Sequence, residues 1–580
     1  MDFKTLIKGG TVVDGTGAPA YDADVRVAGG RVVEIGAELK PHSGERVFDA
    51  GGCFVTPGFI EAHNHWDAAV WWSPNMEPFP GYGVTTSING NCGFSLAPTP
   101  DEDGGREDII DIFNFFEDIP EWPMKTMMPW DWHTWSEYKA SHERNVRTPV
   151  NFGSFCGHIP IRLCVMGKDA WTRAATAEEI ERMCALLDDA LRAGAMGLSS
   201  NQLDHDKNDR ALPSQLADDE EYRALLHVLA RYPGSTFQLI IDNWMRMTAP
   251  EDVERLGNLA REAGVPYQWA GLPTLDFQQD NAAKLWPLHE RYKAEGLPFW
   301  TGFTHVQYML SIDFKRSLLF AQFGLQPWQD LVEIGDDTEK LARLADPHWR
   351  ASAREAWDSG FANNALTADS LVLRDSEIGA GPVNVRLAEF MAMEGISHPS
   401  DALADWVIRN GTDSIVLQAG WDKVQDVVVK LLKDPQTIAN VSDAGAHGKM
   451  FCGAGDCALL LTEYVRDGKH LTIEEGVRAL TGKQADFFGL NDRGVIEVGK
   501  AADITVFNLD EIERREEEKL WDVPDGNGGR TYRYVRAPAP MRLTLVNGQP
   551  TFDNGAFTGR FPGRFVGPEP AMADQAMAAE

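Results

Sequence analysis

The sequence predicts an α/β protein: a (β/α)8 TIM barrel carrying a small β-sandwich built from both chain ends. Three observations predict it. Short strand-like runs alternate with amphipathic helices through the middle of the chain, which indicates parallel strands. β-rich runs with Gly-Gly and Asp-Gly turns occupy both ends. The length, 580 residues, suits one large barrel with additions.

The first ~55 residues, with LIKGGTVVDG, ADVRVAGGRVVEIG and RVFDAGGCFVTPG, have the pattern of hairpins. GVIEVGKAADITVFNL and MRLTLVNGQPTFDNG repeat that texture near the other end, so 1–57 and 491–560 are assigned to one sandwich and 58–490 to the barrel. Within the barrel, Thr176 and Glu179 form a capping-box pair. Ile180, Met183, Leu187 and Leu191 then keep helical spacing, and Gly194 ends the helix. AMGLSS follows as a buried strand. Helices near 220–232, 250–263 and 284–295 alternate with the strands TFQLII, VPYQWA and LPFWTGF. The helix of DKVQDVVVKLLKD precedes QTIANVSD.

Two stretches break the rhythm. Residues 101–147 are acidic and then Trp-rich, and 304–375 add a helical segment with no obvious strand. Such insertions in barrel enzymes sit over the active site, so both are lid or pocket-wall segments or packed accessory helices. The final residues, 561–580, resemble a poorly ordered tail.

Composition narrows the function. Lys and Arg number 54 against 87 Asp and Glu, a net charge of −33, which opposes binding to a phosphate backbone or an anionic membrane surface. No apolar run has the ~18–20 residues of a membrane span, and the N-terminus lacks a signal-peptide pattern. Seven cysteines without a tight CxxC form no disulfide framework. These points favour a cytoplasmic protein with a small-molecule substrate and leave a homo-oligomer open.

Three motifs can carry chemistry. In CFVTPGFIEAHNHWD, His63 and His65 stand two apart at a strand end, where alternate side chains point the same way. Two imidazoles there suit zinc or a similar divalent metal, although two polar residues at a strand end need bind nothing. In SDAGAH, Asp443 follows the apolar run TIANV. It can complete a metal site and take a proton from activated water, or simply cap the next segment. In NGNCGFS, Cys92 can add a thiolate or remain an inert buried thiol.

Taken together, TPGFIEAHNHWD, GVTTSINGNCGFSLAP, FGSFCGHIPIR, AGAMGLSS, ANVSDAGAH and LTGKQADFFGLNDRGVIEVGKAADITVFN resemble, in order, the amidohydrolase superfamily. They are most similar to its N-acyl-D-amino-acid deacylase (D-aminoacylase) branch, over nearly the whole chain. The resemblance implies a metal-bearing barrel with a two-ended sandwich. His63 and His65 match the first-strand metal histidines, Asp443 the last-strand general base, and Cys92 the cysteine that replaces a bridging carboxylated lysine. His158 falls in the Gly-His segment near the substrate. The family's two middle-strand metal histidines are missing: Gln238 or Asp242, and Ala270 or Gly271, occupy those neighbourhoods. One Zn2+ on His63, His65, Asp443 and Cys92 is therefore expected. His205, His305 or His447 could substitute as ligand or proton shuttle.

The family's basic clamp for a substrate carboxylate is also absent, with Lys449 a stand-in. The substrate-binding set is thus His158, His305, His447 and Lys449. Trp71, Trp72 and the Trp-rich insertion (Trp122, Trp130, Trp132, Trp135) point to a larger aromatic amide, unless they are core. The expected reaction is hydrolysis of the amide C–N bond of an N-acyl amino acid-like or larger aromatic amide substrate. A lyase or decarboxylase on the same metal scaffold, or a metal-free binding protein, is the alternative.

Overall fold

In the computed structural model, the described residues are 3–100, 105–242, 247–315, 318–359 and 366–568. They form a mixed α/β fold. Its centre is a series of parallel strand pairs. Phe59–Glu61 pairs with Val84–Asn89, which pairs with Asn151–Ser154. Cys156–Gly157, two residues further on, pairs with Gly197–Gln202. The series continues through Thr236–Ile241, Tyr267–Ala270 and Phe299–Gly302 to Thr437–Ile438. Val441–Ala444 then pairs with His63–Asn64, bringing the last of these strands beside the first. Strands covered on both faces need apolar or small residues throughout, and Val84–Asn89 is buried at every position.

The intervening helices follow the expected pattern. Helix Ala177–Arg192 starts at Thr176 in a capping box with Glu179 and buries Met183, Leu187, Ala190 and Leu191. Helix Ala249–Ala263 ends on Gly264 at φ 73°, where a residue without Cβ closes the last turn without strain. No helix among the described residues is long and apolar enough to cross a membrane.

A nine-stranded sheet joins the two chain ends. Phe54–Pro57 runs antiparallel to Ile504–Phe507, with Val55 opposite Val506. Val12, Val25, Val55, Ile504, Val506 and Leu545 fill its core. The C-terminal segment is not all in this sheet: Glu517–Pro524 and Arg530–Arg536 form a separate hairpin. Through Tyr534 and Arg536 it hydrogen-bonds the backbone of Gly448 and Cys452.

Two expectations need correction. The segment from 304 is not helical throughout. Leu310–Ile312, Leu371–Asp375, Val385–Arg386 and Ile415–Gln418 form a four-stranded antiparallel sheet with its own hydrophobic core, so this lobe runs to about residue 418. The long sequence separation of its strands hid it from local patterning. Residues 561–568 are no loose tail. Phe565 packs edge-on against His142 and Phe152, and the Phe152 amide donates to the Arg564 carbonyl at 2.9 Å. Residues 569–580 lie outside the described set.

Candidate active site

The ends of the first and last parallel strands bring the motif residues together. His63 lies on its strand and His65 just beyond it, where its amide donates to the Ala444 carbonyl at 2.9 Å. Gly445 allows this contact, because a Cβ there would meet the backbone of His65 and Trp66 at 2.7–2.9 Å, and its φ is 95°. The two imidazoles lie 5.4 Å apart. His63 Nε2 is 3.0 Å from Cys92 Sγ and 3.3 Å from Asp443 Oδ1; His65 Nε2 is 3.8 Å from the same oxygen. One donor atom each from His63, His65 and Cys92 falls within a 4.8 Å group.

Backbone strain gathers here. Cys92, Asp443 and His447 have φ of 57°, 50° and 51°, left-handed values that cost non-glycine residues about 1–3 kcal/mol each. Cys92 is held in place from both sides: its amide donates to Gln238 Oε1 at 2.9 Å, and its carbonyl accepts from Asn201 Nδ2 at 3.0 Å.

The electrostatics suit a cation. Burial lowers the His63 pKa to about 3 and holds His65 well below its ordinary range, so both rings are neutral and ready to ligate. Burial, aided by Glu117 and Asp443, pushes the Cys92 thiol well up. Without a positive charge the sulfur therefore keeps its proton, and a metal would displace it. Asp443 is raised too, by its sunken position and by Asp456. The neighbouring acids repel one another. Burial, then Asp443 and Asp204, raise Glu117 well above the carboxylate range. Asp204 rises to about 7, through burial reinforced by Asp242 and Asp443. Two neutral imidazoles, a thiol and a carboxylate are a donor set for zinc or a similar ion. His63 Nε2 meets both Cys92 Sγ and Asp443 Oδ1, and these donors crowd one another with no cation of the described residues between them. The residues fit a metal.

The cavity beside these donors has a volume of about 170 Å³. His65, Cys92, Asp443 and His447 reach it, and Asp443 keeps 27 % of its side chain exposed. Glu117 and Asp204 also line it, and the sequence reading had missed both. Glu117 Oε1 is 3.5 Å from His65 Nδ1, and its Oε2 is 3.7 Å from His447 Nε2. A pair of acids, Glu117-Asp118, set between Phe115-Phe116 and Ile119 was the available signal for Glu117. For Asp204 it was an acid just past a parallel strand's C-terminal end.

Of the four predicted substrate residues, only His447 lines the cavity. His158 is fully buried, its Nε2 2.7 Å from Glu221 and its Nδ1 3.0 Å from Ser200, and Arg162 also pairs with Glu221. His305 is buried with Nε2 2.9 Å from the Asp456 carbonyl. Lys449 points elsewhere, its ammonium 5.5 Å from the Tyr532 ring centre. His205 is not a lining residue either. None of the predicted tryptophans lines the cavity: Trp132, stacked on Trp71, and Trp135 are core at 1 % exposed, Trp71, Trp72 and Trp130 are half-buried, and Trp122 is exposed. The apolar wall comes instead from Phe94, Phe116, Leu319, Phe323, Met450 and Phe451. At the missing-histidine positions, Gln238 serves Cys92, and Asp242 and Ala270 are buried; the register partner of Gln238 on the next strand is the buried Gln268.

A family model described as the amidohydrolase family matches residues 46–351 and 363–552. The chain belongs to that family, and within it to the D-aminoacylase branch. It is 32 % identical to a D-aminoacylase of Alcaligenes xylosoxydans xylosoxydans, over 97 % of both chains. Among solved structures, a D-aminoacylase with a binuclear metal centre aligns at TM-score 0.66 and 22 % identity, covering 97 % of this chain and all of that one. An N-acyl-D-glutamate deacylase of Bordetella bronchiseptica, complexed with zinc and a phosphonate inhibitor, aligns at TM-score 0.63 and 22 % identity, covering 98 % and 100 %. The chain is accordingly an enzyme, a hydrolase of carbon–nitrogen bonds other than peptide bonds.

Proposed function

We propose that the protein hydrolyses an amide bond on a (β/α)8 barrel, using one divalent ion, zinc by its donor set, with Asp443 as general base. The two-ended sheet would form the accompanying β-sandwich. The observation that carries this reading is the convergence of His63, His65 and Cys92 within 4.8 Å, with Asp443 Oδ1 3.3 Å from His63. When bound, such an ion polarises a carbonyl and lowers the pKa of water.

The protein's own groups supply the rest. Burial keeps His63 and His65 neutral, so they ligate without first losing a proton. Glu117 sets a carboxyl oxygen 3.5 Å from His65 Nδ1, on the edge of that ring away from Asp443. Asp443 presents Oδ1 to the histidines, which leaves Oδ2 to take a proton from water and pass it to the departing amine. The apolar wall excludes bulk water from the reacting carbonyl.

The test is amine release from a panel of N-acyl compounds by the zinc-loaded protein, run in oxygen-labelled water. Label in the carboxylic acid product is the expected result. Turnover without label would instead indicate a lyase or decarboxylase, and no turnover with any metal would sink the hydrolase reading.

A further inference from the structure

The charge of the cavity goes further and names a substrate class. Resting on the hydrolase reading above, we propose that this site takes amides carrying no carboxylate, with an apolar group lodged against the hydrophobic wall. Among the described residues lining the cavity there is no lysine or arginine. Three acids stand there instead: Glu117, Asp204 and Asp443. Glu117 is 3 % exposed, and its Oε2 has no hydrogen-bond partner. Asp204 has Oδ2 bonded to Asn201 Nδ2 at 2.8 Å.

A substrate carboxylate is normally held by a cation, best by a guanidinium making two charge-assisted bonds. Here the described lining sets only the carboxyl groups of Glu117, Asp204 and Asp443 beside the donors, with no cation among them. A carboxylate desolvated there without a cationic partner is strongly disfavoured. The cation nearest in sequence to the lining residue Met450, Lys449, is turned to Tyr532. Much of the rest of the described wall, including Leu203, Ile240, Leu318 and Leu319, is apolar, with the neutral Gln322 and Tyr308 beside it. It rewards a hydrocarbon or aromatic group and has no partner for a second charge.

The experiment compares a matched pair differing only in the carboxylate: N-acetylphenethylamine against each enantiomer of N-acetylphenylalanine. The full chain is used, so Arg246 and Arg316, which lie outside the described residues, take part in the comparison. Two quantities are read: kcat/KM of the zinc-loaded enzyme, and Kd by calorimetry on metal-free wild type and on Asp443→Asn. The expected result is preference for the neutral amide by at least about tenfold in Kd, and by up to about a hundredfold in kcat/KM. Equal or better binding of the carboxylate compound overturns the proposal, as does binding of neither. Selective binding of the neutral amide without hydrolysis upholds the inference and defeats the hydrolase reading, so the two failures are separable.

Discussion

Two clusters among the described residues have the connectivity of a catalytic centre; one is open to a substrate and the other is sealed. In the first, His63, His65, Cys92 and Asp443 meet at a cavity, with Asp443 27 % exposed. In the second, Ser200, His158 and Glu221 form a hydroxyl–imidazole–carboxylate chain with contacts of 3.0 and 2.7 Å. Its geometry matches that of a nucleophilic triad, yet all three side chains are fully buried, and Arg162 neutralises Glu221. Tyr222 also occupies the Ser200 hydroxyl at 2.8 Å. The difference is one of satisfaction: in the second cluster Ser200, both His158 nitrogens and both Glu221 oxygens are paired by protein, as in structural networks. The first leaves imidazole nitrogens without partners and acids crowded together.

Substitutions in each cluster can break that comparison. His63→Ala should show the largest effect, loss of the bound ion and of turnover to background, read by elemental analysis and amine release. Asp443→Asn should lower kcat by about 10²–10⁴-fold while some metal remains, because proton transfer is lost with the ligand field only weakened. Retained turnover would remove Asp443 from the base role.

In the sealed cluster, Glu221→Gln should cost about 3–5 kcal/mol of stability by leaving buried Arg162 without its anion. Its kcat per folded molecule should stay unchanged; a large kcat loss would make the cluster catalytic. The same cluster sets an acid dependence. Burial works to raise Glu221, but His158 and Arg162 outweigh it and hold the carboxyl below its ordinary range. Its contribution is therefore present above about pH 4.3 and lost as pH falls through the lowered value. Burial holds His158 low as well, despite Glu221, so below about pH 6.5 the unfolded chain takes a proton that the folded one refuses. Both signs predict stability falling in acid, with a shallower slope in Glu221→Gln, checked by urea titration across pH. The smallest effect belongs to Gln238→Ala. Freeing the Cys92 amide should weaken metal binding by about 10–100-fold with little change in fold.

Much of this was legible in the sequence because it is local. The capping box at Thr176, the buried strand runs and the two-residue spacing of His63 and His65 follow from backbone periodicity. Asp443 and Cys92 could be placed because each follows a strand-like run. What escaped depends on distant contacts. Glu117 joins the site through a fold-back of the acidic insertion, so that its carbonyl accepts from the His447 amide. The sheet of the 304–418 lobe pairs strands such as Leu310–Ile312 and Ile415–Gln418, about a hundred residues apart, and no local pattern encodes such pairing. His158 was misplaced for the opposite reason: its motif is local, but the burial that seals it is not.

The central claim is that the open cluster holds an ion and the middle strands do not hold a second. The most direct measurement is elemental analysis of zinc-loaded, gel-filtered protein beside His63→Ala. The account predicts about one tightly bound ion per chain, as expected for a single site of this donor type, and none in the variant. Two ions, none, or one retained by His63→Ala would contradict it.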